Sequence, residues 1–307
     1  MSGISVILPV YNGLPYLKDS VESVLKQQAP DIEFLILDDC STDGSWEYLN
    51  TLTDNRVSLF RNEKNKGLFY NLNFLIGKSS KPLIKLWSQD DIMMANTLSE
   101  IVSFHDANPE VGFSYTAVCY INESGDIIKG VRKDDTPVII DKETHARICF
   151  LTGSIAGNIA NATITRKALD KVGLFDESMI ISGDFDMWVR IAEFFMIGFV
   201  KQPLIYLRDH SGQLSRQAKY HIRHIEEDIR AFKKLFSYLP EHMLANGRKE
   251  LRHNKLVYYY TLMLHAFVKG HIQDGINYWR TISKLDNPVY ITFSFLRKRL
   301  AKRRSIG

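Results

Sequence analysis

Cysteine is scarce in this chain, and its three copies, Cys40, Cys119 and Cys149, stand far apart. No C-x-x-C pair occurs, so neither a disulfide framework nor a cysteine-ligated zinc site is expected, and the usage suits a reducing cytosol. No G-x-G-x-x-G follows an apolar run, which argues against a dinucleotide-dependent oxidoreductase. A glycine-rich basic loop of the kind a sugar nucleotidyltransferase would carry is also missing. In its place after the first apolar run stands Pro9-Val10-Tyr11-Asn12-Gly13. The apolar runs near 194–200 and 256–268 are too short or too interrupted to span a bilayer. Met1-Ser2-Gly3 leads straight into an apolar run, without a basic-then-apolar leader. A net charge of only +4 over 307 residues gives no reason to expect a nucleic-acid partner. What remains is an ordinary globular composition, 45% hydrophobic and 24% charged, long enough for one large α/β domain and an accessory piece.

The first hundred residues alternate short apolar runs with helical stripes. Ile4–Leu8 reads as a strand ended by Pro9, and Phe34–Leu37 as a second running into Asp38 and Asp39. Val57–Phe60 is a third. The fourth, Leu83–Ile92, carries Asp90 and Asp91 at its end. Between them lie helices marked by Leu14, Leu17, Val21 and Val24 (ended by Pro30), by Trp46, Leu49 and Leu52 after a Ser41 or Thr42 cap, and by Leu68, Leu72 and Leu75. This alternation predicts a doubly wound, mostly parallel sheet. Farther on, a helix is expected to about His105 and a strand over 111–118. A β-ribbon is expected from 125–130 and 137–140, then a small-residue loop over 152–161 and a short strand at 162–165. Ser182-Gly183-Asp184 opens a helix, and two last strands lead to Arg208-Asp209-His210. From about Gln217 only helices are expected. One hairpin, 254–286, resembles a single tetratricopeptide unit, which makes no repeat array. The organisation predicted is an α/β domain over 1–215 and a helical extension over 216–307.

In a parallel sheet, Tyr11-Asn12, Asp38-Asp39 and Asp90-Asp91 fall on one edge and build a single cleft. Two adjacent carboxylates repel unless a cation or donors answer them, and oxygen ligands beside phosphates suit Mg²⁺ or Mn²⁺. Tyr11 could contact a base or ribose. Asp39 could accept from the N–H of uracil, thymine or guanine, with adenine a poorer match. Asp38 reads equally well as a strand-end capping carboxylate.

The segments Ser5–Asn12, Leu37–Ser45 and the Asp90-Asp91 strand end closely resemble family 2 glycosyltransferases of the GT-A fold, over roughly residues 4–212. The resemblance implies a nucleotide-sugar-binding half over 1–100 and an acceptor-binding half over 101–215. It also implies a nucleoside-diphosphate sugar donor (UDP foremost, GDP or dTDP next), Mn²⁺ or Mg²⁺, and transfer with inversion. By motif match Pro9, Tyr11, Asn12 and Asp39 would line the nucleoside pocket. Asp90 would contact the ribose or metal, Asp91 would hold the metal, and Asn65 and Gly67 belong to the family's Asn-x-Gly loop. Two departures stand out: Ser88 where the family often has an acid, and Leu72 where an arginine is common. Lys64 or Lys66 could supply the missing charge, or be solvated loop lysines.

Ser182–Arg190 resembles the family's acidic motif at a helix start, with Asp184 at the general-base position and Gly183 replacing a commoner Glu. One base suffices for inversion, whereas retaining glycosidases need a second carboxylate. The alternative for Asp184 is a helix cap, which Ser182 could also provide. In some GT-A enzymes a histidine at the His210 position reaches the metal or diphosphate. Asn158 and Asn161 are candidate acceptor contacts. Phe293, Phe295 and Leu296 beside a dense run of Lys and Arg read either as a membrane-surface anchor or as a solvated end to a bundle. The family reading places the protein in the cytoplasm or on the cytosolic face of the inner membrane. Its acceptor would be a glycan or lipid-linked glycan, and its apolar extension could pair two copies. The rival class is a non-catalytic nucleotide- or glycan-binding protein, supported by Ser88, Leu72 and Gly183 alone.

Overall fold

Four apolar runs become parallel neighbours, and everything at the site follows from where they stop. The computed structural model describes residues 3–28, 31–130, 135–210, 212 and 220–304. Pro30, Gln217 and the last residues of the basic tail, 305–307, lie outside them.

The strands and helices of the first part are β1 (Ile4–Val10), α1 (Leu17–Leu25), β2 (Ile32–Asp38), α2 (Ser45–Leu49), β3 (Val57–Arg61), α3 (Leu68–Lys78), β4 (Leu83–Leu86), β5 (Ile92–Met93), α4 (Thr97–Ala107) and β6 (Val111–Ile121). Next come β7 (Ile127–Lys129), β8 (Ile139–Ile140), α5 (Lys142–Thr152), β9 (Ala162–Thr165), α6 (Arg166–Val172), α7 (Gly183–Ala192) and β10 (Met196–Arg208). The sheet order is β3-β2-β1-β4-β9-β6-β10-β5, with β7 on β6 and β8 on β10. Strands β1 to β4 are mutually parallel. β9 runs against both β4 and β6, while β10 runs with β6. The carboxyl ends of six strands therefore share one edge.

Both faces of this sheet are covered, which is why its strands read as unbroken apolar runs. Ile4, Val6, Leu8 and Val10 of β1 pack with Leu17, Val21 and Val24 of α1 and with Leu98, Ile101 and Val102 of α4. The other face of β1 and β2 meets α3, whose Leu72, Leu75 and Ile76 are buried.

Several local expectations change. The fourth strand stops at Leu86, because Trp87 turns inward and its indole N–H donates to Ser20 Oγ at 2.9 Å. Asp90 and Asp91 consequently sit in the loop beyond the strand. The segments expected as one ribbon pair elsewhere, β7 with β6 and β8 with β10. The two expected last strands are one, β10, with register shifts around Pro203, where a missing N–H is accommodated by a bulge. A helix, α5, ends at Thr152, just where the small-residue loop was expected to start.

The chain forms two compact units that no single cut separates. One comprises residues 1–141, 156–180 and 194–213 and holds the sheet. The other comprises 142–155, 181–193 and 214–307 and is helical. The second gathers α5, α7, α8 (His221–Tyr238), α9 (Glu241–Leu251), α10 (Val257–Val268), α11 (Ile272–Ile282) and α12 (Pro288–Arg304). Its core joins Phe150 of α5, Phe185 and Val189 of α7, and Phe232, Leu235, Tyr259 and Ile282 of the later helices. The rings of Phe185 and Phe232 meet edge to face at 5.1 Å.

Candidate active site

The turn after β1 is built to present Tyr11. Asn12 adopts φ 50°, and its N–H donates to Ser41 Oγ while its side-chain oxygen accepts from Thr42 N–H, both at 2.9 Å. Gly13 N–H donates to Ser45 Oγ at 2.9 Å. The β1 and β2 turns are thus laced together, and Asn12 acts as a brace between them. Tyr11 N–H donates to Gln89 Oε1 at 2.9 Å, joining the β1 turn to the loop that carries Asp90. The Tyr11 ring itself is 49% exposed, an apolar plate at the mouth of the edge. Pro9 lies within β1, paired with Leu37.

Asp38 ends β2, Asp39 follows it, and the two do different things. Asp38 is buried, accepts from Ser41 N–H at 3.1 Å and pairs with Arg61 Nε at 3.2 Å, the behaviour of a strand-end brace. Asp39, only 1% exposed, gathers the 62–67 loop. Its Oδ1 accepts from Asn62 Nδ2 at 2.7 Å and Lys66 N–H at 2.8 Å, and its Oδ2 from Gly67 N–H at 3.0 Å. Gly67 can close this loop because it adopts φ 86°, a region costly for side chains. Asn65 is exposed on the same loop.

Asp90 and Asp91 lie beside the end of β10. Asp90 accepts from Ser88 Oγ, and its Oδ2 lies 2.8 Å from His210 Nε2. Asp91 is buried: Oδ1 accepts from Arg208 N–H at 2.9 Å, while Oδ2 has no hydrogen-bond partner among the described residues. Burial, and then the charge of Asp90, push the Asp91 carboxyl well above the usual carboxylate range. The Arg208 guanidinium donates to the Asp90 carbonyl at 3.0 Å and stacks on Tyr16, which also meets the His210 ring.

Tyr11, Asn12, Asp39, Gly67, Asp90, Asp91 and His210 are thereby brought to one sheet edge. A buried carboxylate oxygen without a partner, a second carboxylate and an imidazole form a donor set that suits Mg²⁺ or Mn²⁺ in chemistry. Among the described residues, no three His, Cys, Asp or Glu are spaced to hold an ion by themselves. Any such ion must complete its shell from other oxygens, as phosphates can supply.

Of the two acceptor candidates, Asn161 is buried and its carboxamide is spent on Thr116, accepting from N–H at 2.9 Å and donating to the carbonyl at 2.9 Å. Asn158 Oδ1 accepts from Ala160 N–H at 2.8 Å, capping the turn 159–161. Both order the turn leading into β9.

Asp184 belongs to the helical unit. Ser182 takes the N-cap position of α7 but turns its hydroxyl to Asp228 Oδ1 at 2.8 Å, so the cap comes from α8. Glu227 Oε2 accepts from Ile181 and Ser182 N–H at 2.8 and 2.9 Å, placing a carboxylate at the positive end of the α7 dipole. Tyr259 donates to Asp228. Asp184 Oδ1 accepts from Phe185 N–H at 2.7 Å. Burial pushes the Asp184 carboxyl up to about 7, with Asp228 and Glu227 adding to the rise. Asp186 pairs with Arg190 at 2.7 Å, a structural bond within α7.

Three contributors were not singled out from the sequence. Lys85, fully buried on β4, donates to the carbonyls of Ala160 and Ala162, tying the strand that carries the acidic loop to the start of β9. Burial lowers its ammonium to about 7. Its only signal was a lysine interrupting an apolar run. Gln89 bridges the two turns. Arg208 locks Asp91, and its position directly before Asp209-His210 was the available clue.

Residues 5–173, more than half of the chain, match the model of glycosyl transferase family 2. An uncharacterized glycosyltransferase of Rickettsia felis is 28% identical over 220 residues, covering 71% of this chain and 36% of that one. The chain thus spans about a third of that relative's length. The Escherichia coli UDP-Glc:alpha-D-GlcNAc-diphosphoundecaprenol beta-1,3-glucosyltransferase WfaP is 28% identical over 193 residues, covering 62% of this chain and 70% of that one. Among solved structures, Staphylococcus aureus TarS 1–349 with UDP-GlcNAc superposes with a TM-score of 0.72 at 17% identity, over 92% of this chain and 80% of that one. The mannosyltransferase PcManGT of Pyrobaculum calidifontis, with GDP-Man and Mn²⁺, gives a TM-score of 0.58 at 14% identity, over 96% and 87%. The fold is therefore the GT-A fold of those enzymes, and the chain belongs to glycosyl transferase family 2.

Proposed function

We propose that this protein transfers a sugar from a nucleoside-diphosphate sugar to an acceptor hydroxyl, with inversion at the anomeric carbon. The observation that carries the reading is the convergence of Tyr11, Asp39, Asp90, Asp91 and His210 on one sheet edge, with one oxygen of buried Asp91 lacking a partner. Tyr11 offers a ring for the base to lie against. Asp39 already organises the 62–67 loop through three donors, and a base N–H would compete for or join that set. Asp90 would accept from a ribose hydroxyl. A divalent ion held by Asp91 and His210 together with oxygens of the donor diphosphate would neutralise that diphosphate as it departs. The Mn²⁺ in the PcManGT complex supports that expectation.

Asp184 is the proposed base. Its carboxyl at about 7 is matched to accepting the acceptor's proton near neutrality, since a base works best with a pKa near the operating pH. Asp184 takes the hydroxyl proton as the oxygen attacks, and the bond to the diphosphate breaks on the opposite face.

A UDP-sugar is the favoured donor, because TarS is bound to UDP-GlcNAc and WfaP is named for UDP-Glc. WfaP's diphosphoundecaprenol acceptor makes a lipid-linked glycan the acceptor class to try first. The test is release of UDP from a panel of UDP-, GDP- and dTDP-sugars with Mn²⁺ and lipid-diphosphate acceptors. Turnover above the no-enzyme rate with one donor supports the assignment. Tight nucleotide binding with no turnover on any acceptor would move the chain to the non-catalytic class.

A further inference from the structure

Helix α12 carries an apolar stripe that the fold leaves uncovered. Val289, Phe293, Leu296 and Leu300 are 56, 66, 48 and 60% exposed. Their spacing of i, i+4, i+7 and i+11 puts all four within an arc of about 60° at 3.6 residues per turn. The opposite side does the packing, through buried Ile291 and Ser294. From Pro288 to Arg304 there is no Asp or Glu, but six Lys or Arg. Arg297 and Arg299 leave the helix roughly 70° and 90° from the centre of the stripe, one on each flank.

The positive charge extends beyond the helix. Lys298 Nζ donates to the His253 carbonyl at 3.2 Å, which brings α12 against the turn after α9. His253 is held below the usual histidine range by burial, and then by the charges of Arg297, Lys249, Arg252 and Lys298. A cavity of about 590 Å³ opens there, with Arg147, His242, Lys249 and His253 in its walls, Phe150 and Met243 beneath, and Glu250 the one acid.

We infer that the exposed face of α12 lies on an anionic lipid bilayer, its apolar stripe dipping into the interface and the flanking arginines meeting the headgroups. Four large apolar side chains in one narrow arc have a solvation penalty that only burial removes. Long arginine side chains on both flanks can keep their stems on the hydrocarbon and their charges among phosphates. A second copy of this chain fits worse. A two-fold pairing of the same face would bring Arg297 and Arg299 of both copies together, with no acid between Pro288 and Arg304 to answer them. An anionic bilayer answers all of them at once.

The test is co-sedimentation of the full chain with phosphatidylcholine vesicles, with and without phosphatidylglycerol, at low and high salt. Binding to the phosphatidylglycerol vesicles that weakens in salt is expected. Combining Phe293→Ser with Leu296→Ser should weaken that partition by at least roughly tenfold, the worth of two buried apolar side chains. Arg297→Glu with Arg299→Glu should remove the preference for the anionic lipid. All four positions are on the surface, so the melting temperature should hold and report that folding is intact. A wild-type chain that stays in the supernatant with both vesicle types overturns the inference. So does one that light scattering shows to be a dimer broken by the serine variant, which would assign the face to a second copy. The readout is binding alone, so its failure leaves the transferase assignment standing.

Discussion

At the scale of single residues, the proposed chemistry falls to two carboxylates, Asp91 and Asp184, and both are held where ionisation is costly. Asp184 has a carboxyl near 7 against an ordinary value of 3.8, so the folded state retains its proton across that interval better than the unfolded chain. Its contribution to stability therefore falls as pH rises from about 4 to about 7, and activity should rise over the upper part of the same range. Two outcomes follow for Asp184→Asn. The rate constant should drop by roughly 10²- to 10⁴-fold with donor affinity kept, and the melting temperature at pH 8 should rise above wild type. Full activity in that variant removes the base assignment.

The neighbouring acids give a sharper check. Asp228→Asn keeps an acceptor for Ser182 but removes a charge that raises Asp184. The acidic limb of the rate profile should move to lower pH, with the KM for donor unchanged. An unmoved limb would mean that Asp228 is purely structural. Of these residues, Asp39, Asp90 and Asp91 are legible from sequence as acids that close apolar runs, and Asp184 through its resemblance to the family's acidic motif. Glu227 and Asp228 are not. Nothing in their local sequence marks them, and only the fold reveals that they face the start of α7.

At the scale of elements, the loop over 62–67 and the turn after β1 shape the sheet edge proposed to take the nucleotide. Gly67 sits at φ 86° and ψ 165°, yet nothing lies within 4 Å of where a side chain would begin. Gly67→Ala should therefore act through backbone strain alone. We expect a cost of about 1–3 kcal/mol together with weaker nucleotide binding, as the loop pulls away from Asp39. Thermal unfolding and nucleotide titration measure the two effects, and an unchanged nucleotide affinity would separate the loop from the site.

The strands were readable because burial on both faces makes them apolar throughout, and the turns because Asn12 and Gly13 suit them. What misled was pairing. A two-residue strand such as β8 carries no mark of its partner, and Pro203 looks like a break where the structure has a bulge. α5 was missed because its helical face shows only Ala146, Cys149 and Phe150 as apolar anchors.

At the scale of the whole molecule, composition pointed to an α/β part followed by helices, and both are present. The sequence pattern does not reveal that 142–155 and 181–193 pack with the helical part, because membership of a core is decided by contacts distant in the chain. Phe150, Phe185 and Val189 are buried by residues beyond 220. A chain ending at residue 215 should therefore expose these side chains, bind a hydrophobic dye and lose the cooperative melting of the full chain. A soluble, cooperatively folded 1–215 fragment would show that the helical part is an independent appendage. No helix among the described residues is long and apolar enough to cross a membrane.

The acidic edge of the sheet is proposed to receive a nucleoside diphosphate through a divalent ion. Calorimetric titration of UDP into the wild-type chain and Asp91→Asn, each with and without Mn²⁺, tests it directly. Binding should require the ion and weaken by at least roughly tenfold in the variant, which keeps the bond from Arg208 N–H and the fold. Equal affinity with and without Mn²⁺, or equal affinity in wild type and variant, would contradict it.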